Sequence, residues 1–271
     1  MKKALFLLVL SSATALGQDF EGVMKWKIDM EITDPAMKAQ YEEAQKKMND
    51  PKQQAEMKEM MERMNDPQMK AMMEANPQMK AQLEKAIKLM QGGDLSNLMP
   101  KGYTVKIKSQ NSLVSMEGGM LDNTDMLYLK DKNTTYKIDK ENKTYSTIPN
   151  STGDDENKLE TKVTKTSETA KILNYTCTKY IVDVKTENSN SMQQVFWTTT
   201  DIKGIDLKSI GKQRMGNSSQ AMYFDQVEGV PLKVEMSVQQ GHVVMEATEL
   251  KRMSLPASDF SIPAGFKEVS F

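Results

Sequence analysis

The chain has 271 residues, with 36 Lys+Arg against 37 Asp+Glu and a formal net charge of −1. That balance excludes a strongly basic nucleic-acid binder. One His and one Cys exclude an internal disulfide and leave too little for a zinc site or a Cys/His catalytic pair.

Residues 1–17 read MKKALFLLVLSSATALG. Lys2 and Lys3 give a positive start, Ala4 to Leu10 an apolar run too short to cross a bilayer, and Ala15 and Gly17 the small residues that signal peptidase reads. The expectation is a cleaved signal peptide, export to the periplasm with secretion as the further possibility, and a single β-rich domain over residues 18–271. No Cys follows the apolar run, which argues against a lipid anchor, and no later stretch is apolar enough for a stable membrane span.

From Phe20 to Ile32 the pattern has period two. Met24, Trp26, Ile28, Met30 and Ile32 share one face, and Lys25, Lys27, Asp29 and Glu31 the other, as in a half-buried strand. At Asp34-Pro35 the period becomes helical. Asp-Pro or Asn-Pro recurs at Asp50-Pro51, Asp66-Pro67 and Asn76-Pro77. The acid or amide caps free N–H groups, and proline at the first helical position lacks only an N–H that has no partner there. Helices are predicted near 35–48, 51–64, 67–75 and 77–91, ending at Gly92-Gly93. The stretch 34–99 is thus a helical insertion with methionine-rich faces, among them Met57, Met60, Met61 and Met64, then Met69, Met72 and Met73, then Met79 with Leu83, Ala86, Ile87 and Met90.

After Gly102 the period returns to two. Strands are predicted at 103–108, 112–117, 126–130, 134–139, 143–148, 162–167, 175–184, 194–198, 231–238 and 243–252. Asp131-Lys132-Asn133 and Gln239-Gln240-Gly241 are among the turns between them, and short connections favour antiparallel pairing. Residues 150–157 read as a loop, 201–222 as a less regular stretch, and the tail from Leu255 onward as an irregular cover on the sheet. The fold class is α+β, mainly antiparallel β: a curved open sheet, apolar on one face and polar on the other, carrying a Met-rich helical insertion.

No nucleophile elbow, phosphate loop or HExxH is present, which speaks against an enzyme, and no cofactor is implied. His242 follows Gly241 at a turn with no second His to join it. Cys177 lies in a strand pattern and reads first as a buried, inert thiol, with a reactive or intermolecular thiol as the alternative. The methionines admit three readings. They pack the insertion onto the sheet; or, being flexible and polarizable, they form an adaptable groove for a lipid, acyl chain or apolar peptide; or Met57, Met60, Met61 and Met64 hold Cu(I) through their thioethers. Packing is the plainest of the three; the leading functional reading is the groove, with Met57, Met60, Met61, Met64, Met69, Met72, Met73 and Met79 facing the sheet's apolar side at Trp26, Ile28 and Phe196 or Trp197. The partner is then a hydrophobic ligand or an apolar segment of another envelope protein. An envelope protein acting only through protein contacts is the third alternative.

A resemblance supports the compartment. Ala170-Lys171-Ile172-Leu173-Asn174-Tyr175-Thr176-Cys177-Thr178-Lys179-Tyr180, Val195-Phe196-Trp197, Gly229-Val230-Pro231-Leu232 and Phe260-Ser261-Ile262-Pro263-Ala264-Gly265-Phe266 follow one another in an order that resembles exported bacterial proteins of a domain family of unknown function. Asn174 stands where that family has Gly. The family is similar in outline to the LolA/LolB periplasmic lipoprotein carriers, which implies a half-barrel closed by helices. The repeated Asp/Asn-Pro segment resembles the aspartate-proline helical modules of the Hop and ubiquilin co-chaperones, which implies Met-lined holding of apolar segments.

Overall fold

The structure is a computed structural model that describes residues 19–63, 66–68, 83, 87, 94–148, 160–185, 191–205, 226–238 and 241–270. The expected signal peptide, the 150–157 loop and most of the 201–222 stretch lie outside them.

The alternating segments become strands β1 (Gly22–Ile32), β2 (Gly102–Lys108), β3 (Asn111–Glu117), β4 (Thr124–Leu129), β5 (Thr134–Asp139), β6 (Thr144–Ile148), β7 (Glu160–Ile172), β8 (Tyr175–Lys185), β9 (Ser191–Thr199), β10 (Val230–Val238), β11 (Gly241–Arg252) and β12 (Lys267–Glu268). They form one sheet in the order β12-β6-β5-β4-β3-β2-β1-β11-β10-β9-β8-β7. Every neighbour is antiparallel except β12, which lies parallel to β6. Neighbours joined by short links, such as β2–β3, β4–β5 and β10–β11, pair as hairpins, while β1 and β2 pair across the helical insertion. The β2–β3 link is two residues, Ser109 and Gln110, both at positive φ, as the twist of a two-residue hairpin requires. Only β1 joins the halves, between β2 and β11, so the first strand is the seam of the molecule. An open antiparallel sheet of this size curls rather than staying flat.

Curling gives the sheet an inner and an outer face. The inner face carries the main core, including Met24 and Trp26 of β1, Tyr103 and Val105 of β2, Val114 and Met116 of β3, Phe196 of β9, Val234 of β10 and Met245 of β11. The expectation of a polar outer face holds for β1, where Lys25, Lys27, Asp29 and Glu31 are exposed or half-buried. It fails for β3–β5. There Leu113, Leu127 and Ile138 point outward and form a second core with Leu255 and Phe260 of the C-terminal tail. The tail is the cover read from the sequence, and its path is now explicit. Glu21 Oε1 accepts from Leu255 N at 2.6 Å and from Lys108 Nζ at 2.9 Å, and Lys106 Nζ meets Asp259 at 2.7 Å. The chain then crosses to the sheet edge, where Lys267 N and Val269 N donate to Lys143 O and Tyr145 O and β12 forms. The tail therefore seals one apolar patch and one exposed edge together.

Between β1 and β2 lie helices α1 (Pro35–Met48) and α2 (Pro51–Arg63). The capping logic is realised: Asp34 accepts from Met37 N at 2.7 Å, Asp50 from Lys52 N at 2.7 Å, and Asp66 from Gln68 N at 2.9 Å as a further helical segment begins at Pro67. None of α1 is fully buried. Met37, Tyr41, Gln45 and Met48 form its half-buried side, and Gln45 Oε1 accepts from Leu95 N at 2.9 Å, which ties α1 to the approach of β2.

Candidate functional site

The strand register orders the inner face into rows. Ile28, Met245, Val234, Phe196 and Tyr180 make one row across β1, β11, β10, β9 and β8. Two residues further along, Met30, Val243, Met236, Gln194, Val182 and Val163 make the next. Pairing partners share a face, so each row is a continuous strip of side chains.

The two ends of this face differ. At the Gly22 end the core is closed to solvent: Phe20, Ile172, Cys177, Ile202 and Val227 are all buried there. Phe20 N donates to Gly204 O at 2.7 Å, and the Arg252 guanidinium lies over the Phe20 ring at 4.9 Å while bonding Lys203 O. At the Ile32 end the face stays apolar but opens to solvent. Ile28, Met192, Met236 and Val243 are half-buried, Val163 is exposed, and Met30 is 50% exposed. The central residues between the ends are closed: Phe196, Val182 and Val234 are wholly buried, as is Gln194. The candidate site is this open end, an apolar mouth backed by a buried apolar interior.

Trp26 stands where the sequence reading puts it. It faces inward, stacked on Tyr103 with ring centroids 5.7 Å apart and planes 10° from parallel. Burial pushes the Tyr103 hydroxyl far above its ordinary range, so it stays neutral. Trp197 does not stand there. It pairs in register with Lys179 and Lys233, one position out of phase with Phe196, and so lies on the outer face. Its Nε1 donates to Glu235 Oε1 at 2.9 Å and Lys179 Nζ sits 5.7 Å from its ring centroid. Burial raises the Glu235 carboxyl, but the Trp197 and Lys233 hydrogen bonds outweigh it and hold the group below the usual range. Adjacent aromatic residues in a strand cannot share a face, which is the physical reason for the correction.

Met57, Met60 and Met61 lie on α2, whose described side chains are exposed. Met64, Met69, Met72, Met73 and Met79 lie outside the described residues, as do most of the third and fourth expected helices. Ile87, expected on the apolar side of the fourth, is buried at 6% exposure. The sequence reading had Met30 on the Trp26 face of β1, but it missed Met192, Met236 and Val243 as site residues. Their alternation was visible; the row that joins them to Met30 needs the strand order.

Cys177 is wholly buried, in line with the expectation of a buried thiol, and that burial pushes the thiol up to about 11. Among the described residues no group of His, Cys, Asp and Glu could hold a metal ion, and no helix is long and apolar enough to cross a membrane.

No curated protein matches the chain. LprF from Mycobacterium bovis is similar at 13% identity and a TM-score of 0.28, covering 60% of this chain and 83% of LprF. An outer membrane lipoprotein-sorting protein domain from Vibrio parahaemolyticus is similar at 14% identity and a TM-score of 0.21, covering 59% and 81%. Residues 97–266, which hold β2 to β11 and the tail as far as Phe266 but leave out β1, α1 and α2, match the family described as Domain of unknown function (DUF4412), and the chain belongs to that family.

Proposed function

We propose that this protein is a non-enzymatic binder and carrier of a hydrophobic ligand, a lipid, acyl chain or apolar peptide, in the bacterial envelope. The observation that carries the reading is the asymmetry of the inner face: closed at Phe20, mostly apolar apart from the buried Gln194, and open at Met30. A surface of Met30, Met192 and Met236 suits cargo of varied shape, because methionine adapts its three torsions to what it meets. An acyl chain entering at Met30 runs along the Val243–Met236 row toward Phe196 without meeting a charged side chain. Covering apolar surface there is worth about 25 cal/mol per Å² before the costs of ordering.

The test is uptake of a fluorescent fatty acid by the exported protein, with a native mass spectrum of material purified from its own host to identify the cargo. Met30→Asp with Met236→Asp places two charges in the mouth, one at an exposed position and one at a half-buried position against the core, so folding is checked by urea unfolding first. Uptake should fall at least about tenfold, the equivalent of about 1.4 kcal/mol. Unchanged uptake by a folded double variant refutes the site, and a wild-type protein that takes up no fatty acid and carries no added mass refutes the function.

A further inference from the structure

Most of the large apolar side chains that the described residues leave exposed gather at one end of the sheet. Met30, Met99, Met120, Leu121 and Val163 are 37% exposed or more and all lie at or near the open end, while Leu173 and Met253 lie at the other. Met99, Met120 and Leu121 form a patch of their own. Ile28 N still donates to Lys101 O at 2.9 Å, which carries the β1–β2 ladder past Gly102 and places Met99 beside the strand end that bears Met30. The turn after β3 then packs on this segment. A Cβ on Gly119 would stand 2.7 Å from the Met99 carbonyl carbon and from Pro100 N, and both Gly118 and Gly119 have positive φ. Only glycine fits that contact. Met120 and Leu121 are therefore held out on a fixed turn, with Gly118 N also bonded to Asp122 Oδ1. An exposed apolar pair on a rigid support, at the rim of an apolar opening, marks an interaction surface.

Its charge identifies the partner. The segments that bear the patch, residues 94–101 and 117–122, hold Asp94, Glu117 and Asp122 against a single Lys101. Hydrogen bonds from Ser96 hold the Asp94 carboxyl below its usual range. An acidic border repels an anionic bilayer and complements a cationic one. We infer that Met99, Met120 and Leu121 dock a second protein through an apolar segment flanked by lysine or arginine, next to the mouth. The inference rests on the proposed mouth for its meaning, but the docking surface is separate from it.

The experiment is a titration of the exported protein with a synthetic peptide of Leu-Phe-Leu core and lysine flanks, and with its glutamate-flanked counterpart. The lysine peptide should bind at least about tenfold tighter than the glutamate peptide and weaken as salt rises. Met120→Ser with Leu121→Ser should lose that binding while fatty-acid uptake persists, and Met99→Ser, from the other segment, should weaken it. These residues are exposed, so the variants keep the wild-type unfolding midpoint. Equal binding of the two peptides, no binding of either, or binding that survives the double variant overturns the proposal. Wild-type binding to phosphatidylcholine–phosphatidylglycerol vesicles that the double variant loses overturns it in favour of a lipid surface. Loss of uptake in the Met30 and Met236 variant with peptide binding intact separates the mouth from the docking patch.

Discussion

Phe260→Ala tests whether the C-terminal tail is part of the fold or merely rests on it. Phe260 is 8% exposed and packs with Leu113, Leu127, Ile138 and Leu255. Burying a phenylalanine contributes about 1.5–3 kcal/mol by transfer alone, and a cavity that cannot collapse raises the loss to about 3–5 kcal/mol. Collapse is blocked on both sides: Glu21 and Lys108 fix Leu255, and the β12–β6 pairing fixes the end of the tail. The site lies near the surface, however, which admits water and favours the lower bound. The expected loss is about 3 kcal/mol, read from urea unfolding as a fall in midpoint at unchanged slope. The polar counterpart gives the contrast. Lys106→Gln removes the ion pair with Asp259, whose side chains are 34% and 22% exposed, and should cost under about 1 kcal/mol. A loss below about 1 kcal/mol for Phe260→Ala, or a larger loss for Lys106→Gln, refutes the view that apolar burial rather than charge holds the tail.

Three further outcomes follow from single sites. Cys177 should resist an aromatic disulfide reagent in the native protein and react at the rate of unfolding, since burial hides the thiol and pushes its pKa to about 11; rapid labelling at neutral pH counts against the closed end. Glu21 is held below its ordinary 4.5 by the Leu255 N–H and then by Lys108. A depressed carboxylate stabilises the fold above the unfolded value and loses that contribution as pH falls through the folded one. Glu21→Gln should therefore unfold more easily at neutral pH and show a shallower further loss below 4.5 than the wild type; parallel pH curves refute the clamp. Gly229 has φ +86 and a Cβ there would meet Thr199 O at 2.5 Å, so Gly229→Ala should cost at least about 1 kcal/mol in the same unfolding assay, against a stabilisation where alanine is tolerated.

Much of the sheet was legible because its signals are local. Thr134–Asp139 is found with the expected bounds, and Asp34-Pro35 and Asp50-Pro51 start helices by the capping chemistry that proposes them. What escaped is what depends on partners far along the chain. Leu113, Leu127 and Ile138 break the rule of one apolar face, and nothing near them in sequence says that residues 255–260 return to cover them. The sequence leaves Phe196 or Trp197 open for the apolar face. Period two already separates Phe196 from Trp197, but only the β8–β9–β10 register shows which of the two points inward. The sequence points to the insertion's methionines, whereas the mouth drawn from the described residues is lined by strand methionines as far apart in the chain as Met30 and Met236, joined through β11 and β10.

The tail also bears on function. A curled sheet with apolar residues on both faces has two surfaces that could receive a hydrophobic ligand. The sequence spends its last ordered segment on the outer one: Leu255 and Phe260 fill it, and Glu21, Lys106 and Lys108 fix the tail from three neighbouring strand positions or approaches. The remaining outer surface around Trp197 is crossed by Lys179, Glu235 and Lys233, which pair among themselves and with the indole. The inner face receives the opposite treatment. Its Gly22 end is closed by Phe20 under Arg252, while its Ile32 end keeps Met30 half in water although Met30 is still paired with Val243 in the ladder. Exposure of a methionine on the apolar face is unfavourable unless something covers it at least part of the time. Sealing one apolar face and leaving the other open at a single end is the arrangement a carrier needs: one entrance, one lining, and no competing surface on the back of the sheet.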